Sequence, residues 1–162
     1  ITAFQSVDRT RKDTAMLSTF ERVMILKSIS LFAHTPDEAL AELADRLEEI
    51  EVRRDRNVVE KGERGDSLYV IVRGRVSVLD DERILNELGE RALFGELSLL
   101  DSEPRSATVR AREDTTLLRL DQSAFYDLMA DYVEVAMGTI QMLTRNLRAR
   151  TRDVAGLSRM LK

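Results

Sequence analysis

The chain has 162 residues, a formal net charge of −4, 43% hydrophobic and 33% charged residues, and no cysteine. That length and apolar content fit one domain with flanking helices, while seven glycines and two prolines exclude a fibrous or low-complexity chain. The missing cysteine excludes disulfides, thiol catalysis and cysteine-ligated metals, and the acid excess argues against nonspecific nucleic-acid binding.

Residues 1–17 are polar and of mixed charge and read as a linker or arm. A helix follows. Ser18 and Glu21 stand at capping-box spacing, and Val23, Ile25, Leu26, Ile29 and Leu31 supply an apolar side. A second helix is marked by Thr35 as N-cap, Pro36 in the first helical position and Glu38 closing a second capping box. Leu40, Leu43, Ala44 and Leu47 then recur at helical spacing.

From Ile50 the pattern changes to short β-prone runs: Val52, Val58-Val59, Leu68 to Val72, Val76 to Leu79 and Ile84-Leu85. After Pro104 come Ala107 to Ala111 and Thr115 to Leu120. Gly62, Gly65, Gly74 and the Asp80-Asp81 pair separate these runs. Turn geometry accounts for all three glycines, with Gly74 in a tight hairpin between Arg73 and Arg75. Asp80, Asp81 and Glu82 lack calcium-loop spacing and read as a polar turn. Strands this short and this dense predict an antiparallel barrel or sandwich.

The chain becomes helical again at Asp121 or Ser123, with Phe125, Leu128 and Met129 on one face. Beyond them Val133, Ile140, Leu147, Val154 and Leu161 fall every seven residues, with Ala136, Leu143 and Leu157 at companion positions. This is a heptad seam of about four repeats, broken by Arg150 and weakened by Gly138 and Gly156. It either packs the last helix onto its own barrel or forms a two-helix homodimer seam. Met137, Met142 and Leu143 read as core. Residues 145–162 hold six bases (Arg145, Arg148, Arg150, Arg152, Arg159, Lys162) against Asp153, a local +5 that leaves −9 elsewhere. A solvated helix face accounts for that charge, with an acidic partner as the alternative.

The stretch from Phe94 to Arg110 departs from the barrel pattern. Gly95 lets the backbone take positive φ or approach a ligand closely. Glu96 to Leu100 can make one or two helical turns, which leave free amides next to Gly95. Pro104 ends the turn, and Arg105 stands where its guanidinium can fold back over the helix start. That planar fork matches two phosphate oxygens, and Ser106 adds a hydroxyl beside it. Glu96 is repulsive to a phosphate unless it has another task, such as accepting a hydrogen bond from a sugar hydroxyl. The constellation asks for an anion joined to a ribose hydroxyl.

Phe94-Gly95-Glu96-Leu97-Ser98-Leu99-Leu100, followed by Pro104-Arg105-Ser106-Ala107-Thr108-Val109, resembles the phosphate-binding cassette of the cyclic-nucleotide-binding domain family. Gly62 to Tyr69 and Val70 to Val76 resemble the same family's second β-hairpin region, so the resemblance covers about residues 30 to 135. It implies a mainly β fold: an eight-stranded antiparallel, jelly-roll-like β-roll with N-terminal helices and C-terminal B and C helices. It implies an arm at 1–17, the binding domain at 18–135 and a helical extension at 136–162. Glu96 would take the ribose 2′-hydroxyl and Arg105 the cyclic phosphate. Phe94, Gly95, Leu97 and Ser98 would complete the cradle, with Ser106 and Ala107 against the phosphate or base. The last helix, from about Tyr132, would close over the base. Ser106 leans the ligand toward cAMP over cGMP. The segment between Val76 and Leu88 is short for the family, which suggests a trimmed hairpin.

The expected function is a cyclic-nucleotide sensor that relays a helix movement to a partner domain. The alternatives are a ligand-free interaction module and the sensor part of a transcription factor, whose helix-turn-helix would have to lie outside these residues. No catalytic residue, metal ligand or cofactor is expected. His34 reads as an exposed loop residue, and no Walker, zinc or nucleophile-elbow motif is present. No apolar run approaches the ~20 residues of a membrane span and no signal peptide is visible. A cytoplasmic setting is expected, or the cytoplasmic face of a membrane protein. Because the first residue is Ile1, the chain is expected to be part of a longer protein carrying an output or membrane domain.

Overall fold

The computed structural model describes residues 16–161; most of the expected N-terminal arm and Lys162 lie outside the described residues. Helix α1 (Thr19–Lys27) opens on the capping box predicted at Ser18 and Glu21, with both reciprocal hydrogen bonds present. A 3-10 turn (Ser30–Phe32) leads to α2 (Asp37–Arg46). Here the predicted capping box does not form. Pro36 itself occupies the cap with extended backbone, and no side chain caps the helix. The Thr35 hydroxyl is buried without a partner instead.

Strands β1 (Glu48–Val52), β2 (Asn57–Val59), β3 (Ser67–Arg73), β4 (Val76–Asp80), β5 (Arg83–Leu88) and β6 (Leu93–Phe94) follow. Helix α3 (Glu96–Asp101) interrupts them before β7 (Thr108–Ala111) and β8 (Thr115–Asp121). Among the described residues these eight strands make two four-stranded antiparallel sheets, ordered β1-β8-β3-β6 and β2-β7-β4-β5. The chain changes sheet at every strand connection except β4–β5, which gives the expected jelly-roll β-roll.

Gly74 is therefore not a hairpin turn. It has φ +99° and marks the corner where β3 leaves one sheet and β4 enters the other. The hairpin lies one connection later. Asp80 pairs with Arg83 across the Asp81-Glu82 turn, with Asp81 at φ +53°. The ladder runs back to Val76 and Leu88, so the arm is a complete two-residue hairpin.

Strand β3 is buried on both faces, which explains its unbroken apolar run. Leu68 and Val70 join Leu118 and Leu120 of β8 beneath the helices, in a core with Leu26, Phe32, Leu40 and Phe125. Tyr69 and Ile71 point the other way, into the roll, with Ile50, Val59, Val76, Phe94, Val109 and Leu117. The period-2 geometry of a strand places these two sets back to back.

Helix α4 (Gln122–Asp131) is capped by Asp121, whose carboxylate accepts from the Ala124 amide. After a break at Tyr132 comes α5 (Val133–Met160), 28 residues long. It meets the body of the domain through Val135, Gly138, Thr139 and Met142, all buried. Gly138 rests against the backbone of Leu31. Most of the heptad residues lie elsewhere, although Ala136 and Leu143 are half-buried and Leu143 packs against the core. Val133 is 68% exposed, Ile140 56%, Leu147 67%, Val154 66%, Leu157 61% and Leu161 88%. The packing face and the heptad seam are thus neighbouring stripes of one helix that meet at Leu143. Met137, half exposed, belongs with the seam rather than the core.

Candidate functional site

The site is built around Arg105. Its loop segment between α3 and β7 is held by the loop before β3: the Arg105 amide donates to the Glu63 carbonyl at 2.7 Å, and the Gly62 amide donates to the Arg105 carbonyl at 2.8 Å. Arg64 and Pro104 form a bridge beside them. This pairing aims the side chain inward, and the residue is only 7% exposed. Nη2 donates to the Ser67 carbonyl at 3.0 Å. The guanidinium lies over the Tyr69 ring, 5.9 Å from its centroid, and Phe94 stacks on the same ring at 5.1 Å.

Two glycines leave room for this arrangement. A Cβ on Gly95 would stand 2.6 Å from Arg105 Nη1, and a Cβ on Gly65 would stand 2.7 Å from Nη2 and closer still to Nε. Gly95 has φ +86° as well, so both its conformation and its surroundings require glycine. Gly65 has no such φ; its role is space for the arginine, which corrects the turn reading made from sequence. Gly62, at φ +87° with open space around it, is the turn residue.

The electrostatics of Arg105 are unusual. Burial pushes its pKa down, because desolvation disfavours the charged form. A guanidinium nevertheless stays protonated in a protein. Nη1 is buried with no hydrogen-bond partner, and Arg105 makes no ion pair among the described residues. A buried charge left half-satisfied is costly, and an anion at Nη1 would relieve it.

Helix α3 begins at Glu96, directly after Gly95, as the sequence predicted. Its first amides have no intrahelical partner. Glu96 is half-buried, and its carboxylate makes no hydrogen bond or ion pair among the described residues. Phe94, Gly95 and Arg105 are brought together at one point. Ser98 is buried, Leu97 is 41% exposed, Ala107 is half-buried and Ser106 is exposed. The sequence reading missed Tyr69 and Ser67. Both sit in an apolar strand run where nothing local sets them apart from core.

Other features stand apart from this site. A cavity of about 320 Å³ between α2 and α4, lined by residues including Glu42, Arg46, Asp127 and Asp131, contains none of the predicted site residues. His34 is exposed, as expected. Among the described residues no helix is long and apolar enough to cross a membrane, and no cluster of acids and histidine is placed to hold a metal ion.

Comparison with known proteins agrees with the fold. Residues 49–132 match the family described as the cyclic nucleotide-binding domain. The chain is 30% identical over 138 residues to a CRP-like cAMP-activated global transcriptional regulator of Mycobacterium tuberculosis, covering 82% of this chain and 62% of that protein. The chain thus spans less than two thirds of the curated relatives it matches. The N-terminal domain of a transcriptional regulator from Streptomyces coelicolor A3(2) superimposes with a TM-score of 0.68 at 32% identity, over 81% of this chain and 94% of that one. The catabolite activator protein of Thermus thermophilus superimposes with a TM-score of 0.72 at 30% identity, over 80% of this chain and 63% of that one. With its eight-stranded roll, its glycine-led α3 and its buried arginine, the chain belongs to the cyclic nucleotide-binding domain family.

Proposed function

We propose that this chain is the sensor module of a regulator, taking cAMP in preference to cGMP and passing a helix movement to an output domain. The observation that carries the reading is the buried Arg105 guanidinium with its unpartnered Nη1 beside Gly95. In this reading Arg105 receives the cyclic phosphate, and the carboxylate of Glu96 accepts the ribose 2′-hydroxyl. Phe94, Gly95, Leu97 and Ser98 shape the cradle, and Ser106 and Ala107 flank the phosphate and base. A charge-assisted hydrogen bond contributes roughly 1.5–3 kcal/mol, so these two side chains suffice to separate tight from negligible binding. The preference for cAMP is supported by Ser106 and by the description of the mycobacterial relative as cAMP-activated.

The output is read as a DNA-binding domain outside this chain, because that relative is a transcriptional regulator of which the chain spans 62%. The exposed stripe of Val133, Ile140, Leu147 and Val154 supports a homodimer through α5. Closure of the last helices over the base would draw its energy from the ligand's higher affinity for the closed form.

Calorimetric titration with cAMP and with cGMP tests the reading. Saturable binding, tighter for cAMP and lost in Arg105→Ala, is the expected result. Heat-silent titrations with both nucleotides would make the chain a ligand-free interaction module. Light scattering tests the dimer, and a strict monomer at high concentration with and without nucleotide would end that part of the proposal.

A further inference from the structure

We infer that Gln122 and Tyr126, at the start of α4, are positioning residues for the cassette helix and set its ligand affinity by gripping its far end. The inference rests on the reading of the cassette given above. Helix α3 has six residues and a left-handed residue at each end, Gly95 at φ +86° and Ser102 at φ +56°. A helix this short does not hold itself, and its last carbonyls lack intrahelical partners.

Those carbonyls find their partners in a pattern. The Ser98 carbonyl accepts from the Ser102 amide at 3.1 Å. The next carbonyl, Leu99, accepts from Gln122 Nε2 at 2.8 Å. The one after it, Leu100, accepts from the Tyr126 hydroxyl at 3.0 Å. The Gln122 amide also reaches Ser102 Oγ at 2.9 Å and the Tyr126 hydroxyl at 3.2 Å. Gln122 and Tyr126 are four residues apart, so one face of α4 presents both. Two side chains of α4 therefore cap two successive carbonyls of α3.

The bracket does what apolar packing cannot. Leu99 is 1% exposed and shares its core cluster with Ala124 and Phe125, which fixes how deep α3 sits. Apolar contact is non-directional, so it leaves rotation and sliding of a six-residue helix free. Directed hydrogen bonds at the far end remove that freedom, and with it the freedom of Glu96, one turn back from Leu100. The bracket lies at the surface: Gln122 is half-buried and Tyr126 is 41% exposed. It can be removed without opening the core. It is also a direct polar link from the cassette to α4, which leads into α5 through Tyr132.

The test compares wild type with Gln122→Ala, Gln122→Glu and Tyr126→Phe, by calorimetric cAMP titration from pH 5 to 8 and by hydrogen exchange of the Leu99 and Ser102 amides without ligand. Gln122→Ala and Tyr126→Phe should speed α3 exchange and weaken cAMP binding about tenfold, the worth of one to two net hydrogen bonds. Their Tm should stay within about 3 °C of wild type. Gln122→Glu gives the readout that a merely structural role would not move. At pH 8 its carboxylate has no proton to donate to the Leu99 carbonyl, an obligate acceptor whose lone pairs favour the protonated carboxyl. Affinity should therefore recover relative to wild type as the pH falls to 5, while Gln122→Ala shows no recovery. Unchanged α3 exchange in Gln122→Ala overturns the inference, as does faster exchange with wild-type affinity, or a Gln122→Glu pH profile parallel to wild type. Wild-type protein that binds neither cAMP nor cGMP overturns the proposed function instead, and the exchange measurements then judge the bracket alone.

Discussion

Gly138 and Gly156 lie in the same helix, and the same substitution at each should have opposite consequences. Alanine in a helix interior is favoured over glycine by roughly 0.8–1 kcal/mol, so propensity predicts a gain at both. At Gly156 a Cβ meets nothing within 4 Å. At Gly138 it would collide with the Leu31 carbonyl oxygen, with the carbonyl carbon only 3.3 Å away. Both obstructing atoms are backbone, so no rotamer change relieves them, and α5 must lift from the 3-10 turn it packs on. Overpacking costs about 1–3 kcal/mol, and a rigid backbone neighbour places this case in the upper half of that range. Subtracting the ~1 kcal/mol propensity gain leaves a net loss of about 1–2 kcal/mol. For a domain of this size that lowers Tm by about 2–8 °C. Gly156→Ala should leave Tm unchanged or slightly raised and deepen the ellipticity at 222 nm. Thermal unfolding followed by circular dichroism measures both. A Gly138→Ala protein with Tm at or above wild type would refute the close docking of α5 on Leu31.

Thr35→Val should stabilise the domain by about 1 kcal/mol in urea unfolding, because it removes a buried hydroxyl that has no partner; a loss of 0.5–2 kcal/mol is what an N-cap threonine would show. Arg22→Ala should cost about 3–5 kcal/mol in the same assay. Arg22, 9% exposed, donates to the Ala44 and Leu47 carbonyls at 3.0 and 2.8 Å and pairs at 3.5 Å with Glu49; its loss would leave both carbonyls without that donor and the Glu49 carboxylate with only the Leu17 amide, at 2.9 Å. Asp80 is held below its usual carboxylate range by Lys61, 2.6 Å away. A depressed folded-state pKa gives stability that is present above the unfolded value near 3.8 and is lost as pH falls through the folded value. Asp80→Asn should therefore show a shallower fall in Tm at the acid end than wild type, with little change near pH 7, and an unaltered acid limb would count against the pair.

Much of the architecture was legible because local rules and tertiary packing agreed. The exposed Ser18–Glu21 box and the Asp121 start of α4 follow from capping chemistry, and burial reinforces most of the strands read between Ile50 and Leu120, β5 being exposed and the two-residue β6 unread. The glycine-led start of α3 was legible for the same reason: Gly95, Glu96 and Pro104 impose that geometry within ten residues. Where local rules met a competing demand, the sequence misled. Thr35 has every mark of an N-cap, but packing buries its hydroxyl and leaves the cap to Pro36. Gly65 and Gly74 look alike in the sequence, yet one makes room for a guanidinium and the other turns a corner between sheets.

The sequence by itself determined most of the element types, the glycine-led start of α3 and the two side chains proposed to grip ribose and phosphate, because these are properties of contiguous residues. It could not reveal which stripe of α5 is buried, since two apolar stripes run along that helix. Only the packing of Val135, Gly138, Thr139 and Met142 on the domain assigns one of them and leaves most of the heptad seam exposed. Nor could it place Tyr69, Gly65 and Ser67 around Arg105, or Gln122 and Tyr126 on the end of α3. Those neighbours are 20 to 40 residues apart in the chain, and only the crossing of strands between the two sheets and the return of α4 bring them together.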